Sequence, residues 1–417
     1  MGKVAKLVMV TEDNNNKYYN MTEENGQILI ERGRIDVTAI KEKPVSISKW
    51  NSLYNSKVKK GYVDQTHLFI DENQPVTPGQ KDSSPSFADI TDPLINKFIT
   101  QLQSWANKSV EQNYTISTSK VTQKQIDAAQ TILNDLSHLI NIGVDIHDLN
   151  EMLLNLFKTL PRKMSHVQDY LIHTINDKKS LDDAMDRITH EQDLLDTMKG
   201  QVQVYAAQQK QSVSTGVKNQ TLLEAMGLEF FNLSPQEKDI IFSKIQKREH
   251  KDIFKQGFHV NNVKTRKRFE EFVKNAENKK MELFFHGSRS ENWFSILESG
   301  LMLRPTNAVI NGKMYGFGNY YSDVFAKSLG YTSYNGARWT GGNSNSAILS
   351  LYDVHVGNQL KVTKWDHKHT SLNEKGLKQI GKYDSIFAPG GYDCINNEFI
   401  VYNEAQSTIK YIMQFGK

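Results

Sequence analysis

Three short clusters in the last third of the 417-residue chain hold the residue types that chemistry needs. The first is Leu283-Phe284-Phe285-His286-Gly287-Ser288, a strand-like run that ends on a polar group with a glycine. The second, Gly312-Lys313-Met314-Tyr315-Gly316-Phe317-Gly318-Asn319-Tyr320-Tyr321-Ser322-Asp323, sets three glycines among aromatics, with Lys327-Ser328 and Tyr331 following. The third is Asn397-Glu398-Phe399-Ile400-Val401-Tyr402, in which a carboxylate opens a β-prone run. Taken alone, a His-Gly-Ser triplet reads as a turn at a strand end. Taken together, the clusters offer an imidazole, a carboxylate, an ammonium and hydroxyls, with glycines where backbone can approach a ligand.

The familiar nucleotide and metal motifs are absent. Gly316-Phe317-Gly318 is followed by Tyr321 where a dinucleotide fingerprint needs its third glycine, and the βαβ context is missing. There is no P-loop glycine-lysine run and no His-Glu-x-x-His. The 12 histidines show no metal-ligand spacing, and the single cysteine, Cys394, excludes an intrachain disulfide and any multi-cysteine zinc module. Metal-free chemistry in a reducing, intracellular compartment is the expectation.

The elements that must position these clusters follow from periodicity. At roughly 150 residues per domain, the length implies two to three domains. Leu7-Val8-Met9-Val10, Lys17 to Met21 and Gln27 to Glu31 are β-prone runs separated by Asp13-Asn14-Asn15-Asn16 and Glu24-Asn25-Gly26, which are turn chemistry. A helix follows, with Ser46 or Ser48 as its cap and Trp50, Leu53 and Tyr54 on one face. Between 88 and 207 the pattern is helical: Ile126, Ala129, Leu133, Leu136 and Ile140 after the cap Thr122; Leu149, Met152, Leu153, Leu156 and Phe157 up to Pro161; then Leu181, Met185, Ile188, Leu194 and Leu195. Such stripes are what packing of any helical bundle requires. From 222 to 417 the period changes, with β-rich runs at 348–354, 399–402 and 409–415. Polar, proline-bearing residues 76–87 and the stretch 208–221 read as linkers or loops. The expected fold class is therefore α+β and multidomain.

The three clusters, in this order, resemble the catalytic domain of the poly(ADP-ribose) polymerase family. The resemblance makes His286, Tyr320 and Glu398 a His-Tyr-Glu triad, with Lys327-Ser328 as the family's Lys-Ser pair. It implies an antiparallel-sheet ADP-ribosyltransferase domain over 222–417 whose substrate is NAD+, with no metal. Tyr320 and Tyr331 would sandwich the nicotinamide, and Gly287 and Ser328 would hold its carboxamide. His286 and Ser288 would bind a ribose hydroxyl. Glu398 would polarise a ribose hydroxyl and the acceptor, aided by Lys327. Tyr321 and Tyr331 read also as core aromatics. Asn396 stands where polymer-forming relatives usually carry tyrosine, and Met302 where they often carry arginine.

The resemblance extends, less specifically, over the rest of the chain. Residues 88–207 look like the family's helical regulatory domain, carried by Val121 to Ala129 and Leu156 to Pro161. Residues 1–75 resemble its small β-rich WGR domain, with Arg32-Gly33-Arg34 in place of Trp-Gly-Arg. Arg32, Arg34, Lys57, Lys59 and Lys60 are then the expected DNA contacts, Arg34 as a phosphate or an interdomain contact, although the lysines read equally as a solvated face. The implied activity is ADP-ribosyl transfer from NAD+ with release of nicotinamide, switched on by DNA ends or nicks in a DNA damage response, onto protein acceptors (including the chain itself) or nucleic-acid acceptors. The alternatives are a catalytically weak binding scaffold and a DNA-independent NAD-consuming toxin or immunity factor.

A net charge of +4 names no partner by itself. The N-terminal Met1-Gly2 lacks the Ser or Thr of a myristoylation start, Lys6 standing in its place, and no apolar run predicts a membrane span. A monomer is expected, nuclear in a eukaryotic host and cytoplasmic or nucleoid-associated otherwise. Lys264-Thr265-Arg266-Lys267-Arg268 is the one candidate import cluster and reads also as a surface face.

Overall fold

The computed structural model describes residues 2–35, 37–69, 87–114, 121–213, 220–303, 314–316, 318–338 and 340–417. It divides into two compact units, Met1–Ser83 with Lys108–Tyr205, and Ser84–Asn107 with Ala206–Lys417. Almost all of the expected linker 76–87 lies outside the described residues, as do Gly312, Lys313 and Phe317 of the glycine-aromatic cluster.

In the first unit β1 (Val4–Val10), β2 (Asn16–Glu24) and β3 (Gln27–Arg34) form an antiparallel meander, joined by the short β4 (Ile40–Lys41), β5 (Val45–Ser46) and, after α1 (Trp50–Val58), β6 (Val63–Asp64). Asn25 and Gly26, both at positive φ (49° and 74°), make the two-residue hairpin turn that the Asn-Gly pair favours. Ser46 caps a short 3-10 turn ahead of α1, and the helix itself starts from Lys49 without a side-chain cap, so neither serine caps it directly. Trp50, Leu53 and Tyr54 do share a face, packed on Ala5, Leu7, Met21 and Ile30.

After α2 (Thr66–Phe69) come α3 (Pro93–Asn113), α4 (Gln123–Ile142), α5 (Ile146–Thr159) and α6 (Lys178–Val213). Thr122 and Gln125 complete a reciprocal capping box, Gly143 ends α4 in the left-handed conformation, and α5 stops just before Pro161. The predicted apolar stripes are the core: Ala129, Leu136, Leu149, Leu153 and Phe157 are all fully enclosed. Val8, Val10 and Ile35 join that same core, so β1 is buried on both faces. α6 runs on to Val213, so the first residues of the polar stretch 208–221 are helical, since glutamine and lysine are good helix formers.

The second unit carries α7 (Leu222–Met226), β7 (Leu228–Asn232), α8 (Pro235–Lys244), α9 (Arg248–Asp252), β8 (Phe254–Asn262), α10 (Val263–Asn275), β9 (Met281–Gly287) and α11 (Trp293–Ser299). There follow β10 (Asn319–Tyr321), α12 (Phe325–Leu329), β11 (Ser346–His355), β12 (Gln359–Lys361), α13 (Glu374–Gly381), β13 (Ser385–Ala388), β14 (Glu398–Val401) and β15 (Ser407–Gly416). One sheet has the order β7-β8-β15-β11-β9 and is antiparallel throughout; the other is β10-β14-β13-β12. In the second sheet β12 and β13 are parallel, with α13 as the crossover between them, which departs from a purely antiparallel expectation. Among the described residues no helix is long and apolar enough to cross a membrane.

Candidate active site

The last residues of β9, β10 and the first residue of β14 meet where the two sheets of the second unit touch. Phe285 on β9 exchanges both backbone hydrogen bonds with Ser322, just past β10, at 2.8 and 3.1 Å. On its other edge β10 pairs with β14, placing Tyr320 opposite Ile400. His286, Tyr320 and Glu398 are thus carried on three consecutive, hydrogen-bonded segments. Strand pairing, not sequence proximity, assembles them.

His286 Nδ1 lies 3.1 Å from the Tyr320 carbonyl oxygen. A carbonyl only accepts, so Nδ1 carries the proton, and in the neutral ring the lone pair sits on Nε2. The ring is held among Trp293, Tyr321 and Tyr352, with centroids 6.0 to 6.3 Å away. Tyr320 is equally fixed: its hydroxyl donates to the Gly316 carbonyl at 2.9 Å and accepts the Tyr315 N–H at 3.0 Å. Burial, and then the neighbouring Tyr402, pushes its phenol well above the usual range. Of the two other tyrosines, Tyr321 is a core residue at 2% exposure, whereas Tyr331 keeps 38% of its surface exposed. Burial and then the charge of Glu398 still push the Tyr331 phenol up to about 12.

Glu398 heads β14 and forms a direct ion pair with Lys327 of α12, the two side chains being 19% and 9% exposed. Burial raises the Glu398 carboxyl above its ordinary 4.5, and the Lys327 ammonium pulls it back down. A half-buried carboxylate with one cation as counter-charge is what acid–base or charge-stabilising work requires.

Gly287 is glycine for a packing reason that no local sequence signal carries. A Cβ there would stand 2.0 Å from the Ser328 carbonyl oxygen, because the end of α12 packs directly on the end of β9. By strand alternation its N–H and C=O face the same side as those of Phe285, away from β11. Among the described residues neither takes a hydrogen-bond partner. A donor and an acceptor therefore stand side by side next to the buried Ser328. Ser288 Oγ accepts from Asn292 Nδ2 at 3.2 Å, which ties it into the turn that follows β9.

The expected basic residues lie in the first unit. Arg32 forms an ion pair with Glu42 at the surface. Lys57 Nζ sits 4.0 Å above the ring of Tyr19 and 5.7 Å from that of Tyr62, and burial and then Lys60 lower its pKa. Lys59 and Lys60 are exposed. Arg34 is spent on protein: it donates to the Asn14 carbonyl and side-chain oxygens at 2.9 and 3.2 Å, and to the Met164 and Ser165 carbonyls at 2.9 and 2.8 Å. The run 264–268 on α10 is a face of ion pairs, Lys264–Glu298, Arg266–Asp353 and Arg268–Glu404.

Residues 237–417 match the family model described as the poly(ADP-ribose) polymerase catalytic domain. The chain is 37% identical over 163 residues to a putative poly(ADP-ribose) polymerase-like protein, 100L, of Invertebrate iridescent virus 6, covering 84% of that protein and 38% of this chain. It is 31% identical over 169 residues to poly(ADP-ribose) polymerase 2 of Arabidopsis thaliana, covering 25% of that protein and 35% of this chain. With poly(ADP-ribose) polymerase 1 of Caenorhabditis elegans it shares 23% identity over 470 aligned residues, 98% of this chain and 47% of the relative. The matched span contains β9, β10, α12 and β14, the elements that bring His286, Tyr320, Lys327 and Glu398 together. The chain belongs to the poly(ADP-ribose) polymerase family.

Proposed function

We propose that this protein is an NAD+ ADP-ribosyltransferase, with 222–417 as its catalytic domain and activity switched on by DNA ends or nicks. The observation that carries the reading is the Glu398–Lys327 pair beside the pinned Tyr320 and His286. NAD+ is the substrate. Its nicotinamide carboxamide would bond the Gly287 N–H and C=O and the Ser328 hydroxyl, with the ring between Tyr320 and Tyr331. His286 and Ser288 would hold a ribose hydroxyl. As the bond from the sugar carbon to nicotinamide breaks, the electron pair leaves with nicotinamide and positive charge grows on the sugar. Ionised Glu398 stabilises that charge through the ribose 2′-hydroxyl. The acceptor nucleophile then bonds to the sugar carbon and passes its proton to Glu398, with Lys327 holding the carboxylate in place.

DNA control is read from the residues ahead of the catalytic domain, with 1–75 as a WGR-like DNA-binding domain and 88–207 as a helical regulatory domain. Arg32 and Lys57 offer cations, and the partly exposed ring of Tyr62 an aromatic surface, to a strand end, with Lys59 and Lys60 adding charge for phosphates. Arg34, bonded to Met164 and Ser165, would link that contact to the helical segment. Acceptors would include the chain itself, acting as a monomer inside the cell.

Labelled NAD+ incubated with the purified chain, with and without 5′-phosphorylated nicked DNA, tests both parts. Transfer that needs DNA is expected. Equal transfer without DNA refutes the switch, and none at all leaves only a binding scaffold. Arg34→Ala should cut DNA stimulation by about 5- to 100-fold and leave basal transfer unchanged. A matching fall in basal transfer would assign Arg34 to folding instead.

A further inference from the structure

The residue before Glu398 is tied to three places at once. Asn397 Nδ2 donates to Asp323 Oδ2 at 2.8 Å, and its Oδ1 accepts the Gly390 N–H at 2.8 Å. Its main-chain oxygen accepts from Lys327 Nζ at 3.2 Å, the same ammonium that pairs with Glu398. All three partners lie outside β14. Asp323 is itself anchored: its carbonyl accepts from Gln246 Nε2 at 2.7 Å, and the preceding Ser322 is bonded to Phe285 of β9. Gly390 opens the turn that returns to β14, so the Asn397 side chain closes the base of that turn.

Asparagine is the side chain this position needs. It faces a carboxylate, which accepts, and a backbone N–H, which donates, at the same short reach. Only a group with one donor and one acceptor on a single short stem satisfies both. Aspartate would set two carboxylates against each other, and alanine would strand Asp323 and the Gly390 amide.

We propose that Asp323 and Asn397 form a positioning pair that sets the Glu398 carboxylate against Lys327 and the reacting sugar carbon. This rests on the transferase reading above. If the Asn397 peptide turns, Lys327 loses its carbonyl partner and Glu398 moves with the start of β14. A displacement of about 1 Å at such a group costs roughly 100-fold in turnover, with little effect on substrate binding.

The test compares Asn397→Asp with the exchanged double variant Asp323→Asn, Asn397→Asp. In the double variant the amide now at position 323 donates to the carboxylate now at position 397, whose other oxygen still accepts the Gly390 N–H. Asn397→Asp should lower kcat roughly 10- to 100-fold while the KM for NAD+ stays within about threefold. It should also speed amide exchange at Gly390 and over 397–400 by about tenfold or more. The double variant should recover most of both. Wild-type kcat in Asn397→Asp overturns the proposal, as does a KM that moves with kcat or a double variant no better than the single one. Amide exchange needs no turnover. Unchanged exchange in Asn397→Asp overturns the pair even in a chain that transfers nothing, whereas absent wild-type transfer falls on the transferase reading.

Discussion

Replacing Gly287 with alanine perturbs the site through packing alone. The added Cβ would stand 2.0 Å from the Ser328 carbonyl oxygen and 2.8 Å from its carbon, so the contact falls about 1.4 Å short of ordinary van der Waals distance. The end of α12 would have to move away, but its Phe325 is wedged between Phe285 and Phe415 at ring distances of 5.6 and 4.8 Å. Overpacking of this kind costs about 1–3 kcal/mol. For a unit of this size that is a fall in Tm of roughly 3–10 °C. Lys327 and Ser328 ride on α12, so a shift of about 1 Å there should also reduce NAD+ turnover roughly 100-fold. Scanning calorimetry and nicotinamide release measure the two effects. Gly376→Ala on α13 is the matched control, because its Cβ would meet nothing closer than 3.6 Å. It should stabilise by about 0.4–1 kcal/mol. A Gly287→Ala protein with wild-type Tm and wild-type turnover would refute the packing argument.

Lys327→Met removes the cation that opposes the upward shift of the Glu398 carboxyl, so the acid limb of the pH–rate profile should move to higher pH. Because burial holds that carboxyl above 4.5, the folded state keeps its proton more tightly than the unfolded chain does. Stability therefore falls as pH rises from 4.5 through the folded value, and this window should widen in the variant. An unmoved acid limb would contradict the role assigned to Lys327. In the first unit, Arg162 and Glu191 form an ion pair with side chains only 2% and 4% exposed. Glu191→Ala should cost about 3–5 kcal/mol in chemical denaturation, while exchanging both residues for apolar ones should be close to neutral.

How much of the site was legible in the sequence depended on whether a signal was local. His286, Tyr320 and Glu398 each sit at or within one residue of an end of a β-strand in an ordered set of motifs, and the strand pairing that joins them only had to bring those ends together. The helical stripes were legible because burial repeats every three to four residues; Ala129, Leu136 and Leu153 show almost no exposure. Long-range contacts left no such mark. Arg34 bonds carbonyls 130 and 131 positions away, and a carbonyl has no residue type to read. The clash behind Gly287 depends on where α12 lands. Asp323 and Asn397 are 74 residues apart, and neither carries a motif of its own. Nothing local in the sequence marks Arg162 and Glu191, 29 positions apart, as a buried pair, since charged side chains are mostly found at the surface.

The most direct test of the central claim is the intact mass of the chain after incubation with NAD+ and nicked DNA, beside a Glu398→Gln protein treated identically. Mass increments of whole ADP-ribose groups are expected on the wild-type chain, with the variant binding NAD+ but losing elongation and most transfer. A wild-type chain of unchanged mass whose NAD+ stays intact, or a Glu398→Gln protein modified to the same extent, would contradict the assignment of ADP-ribosyl transfer to this site.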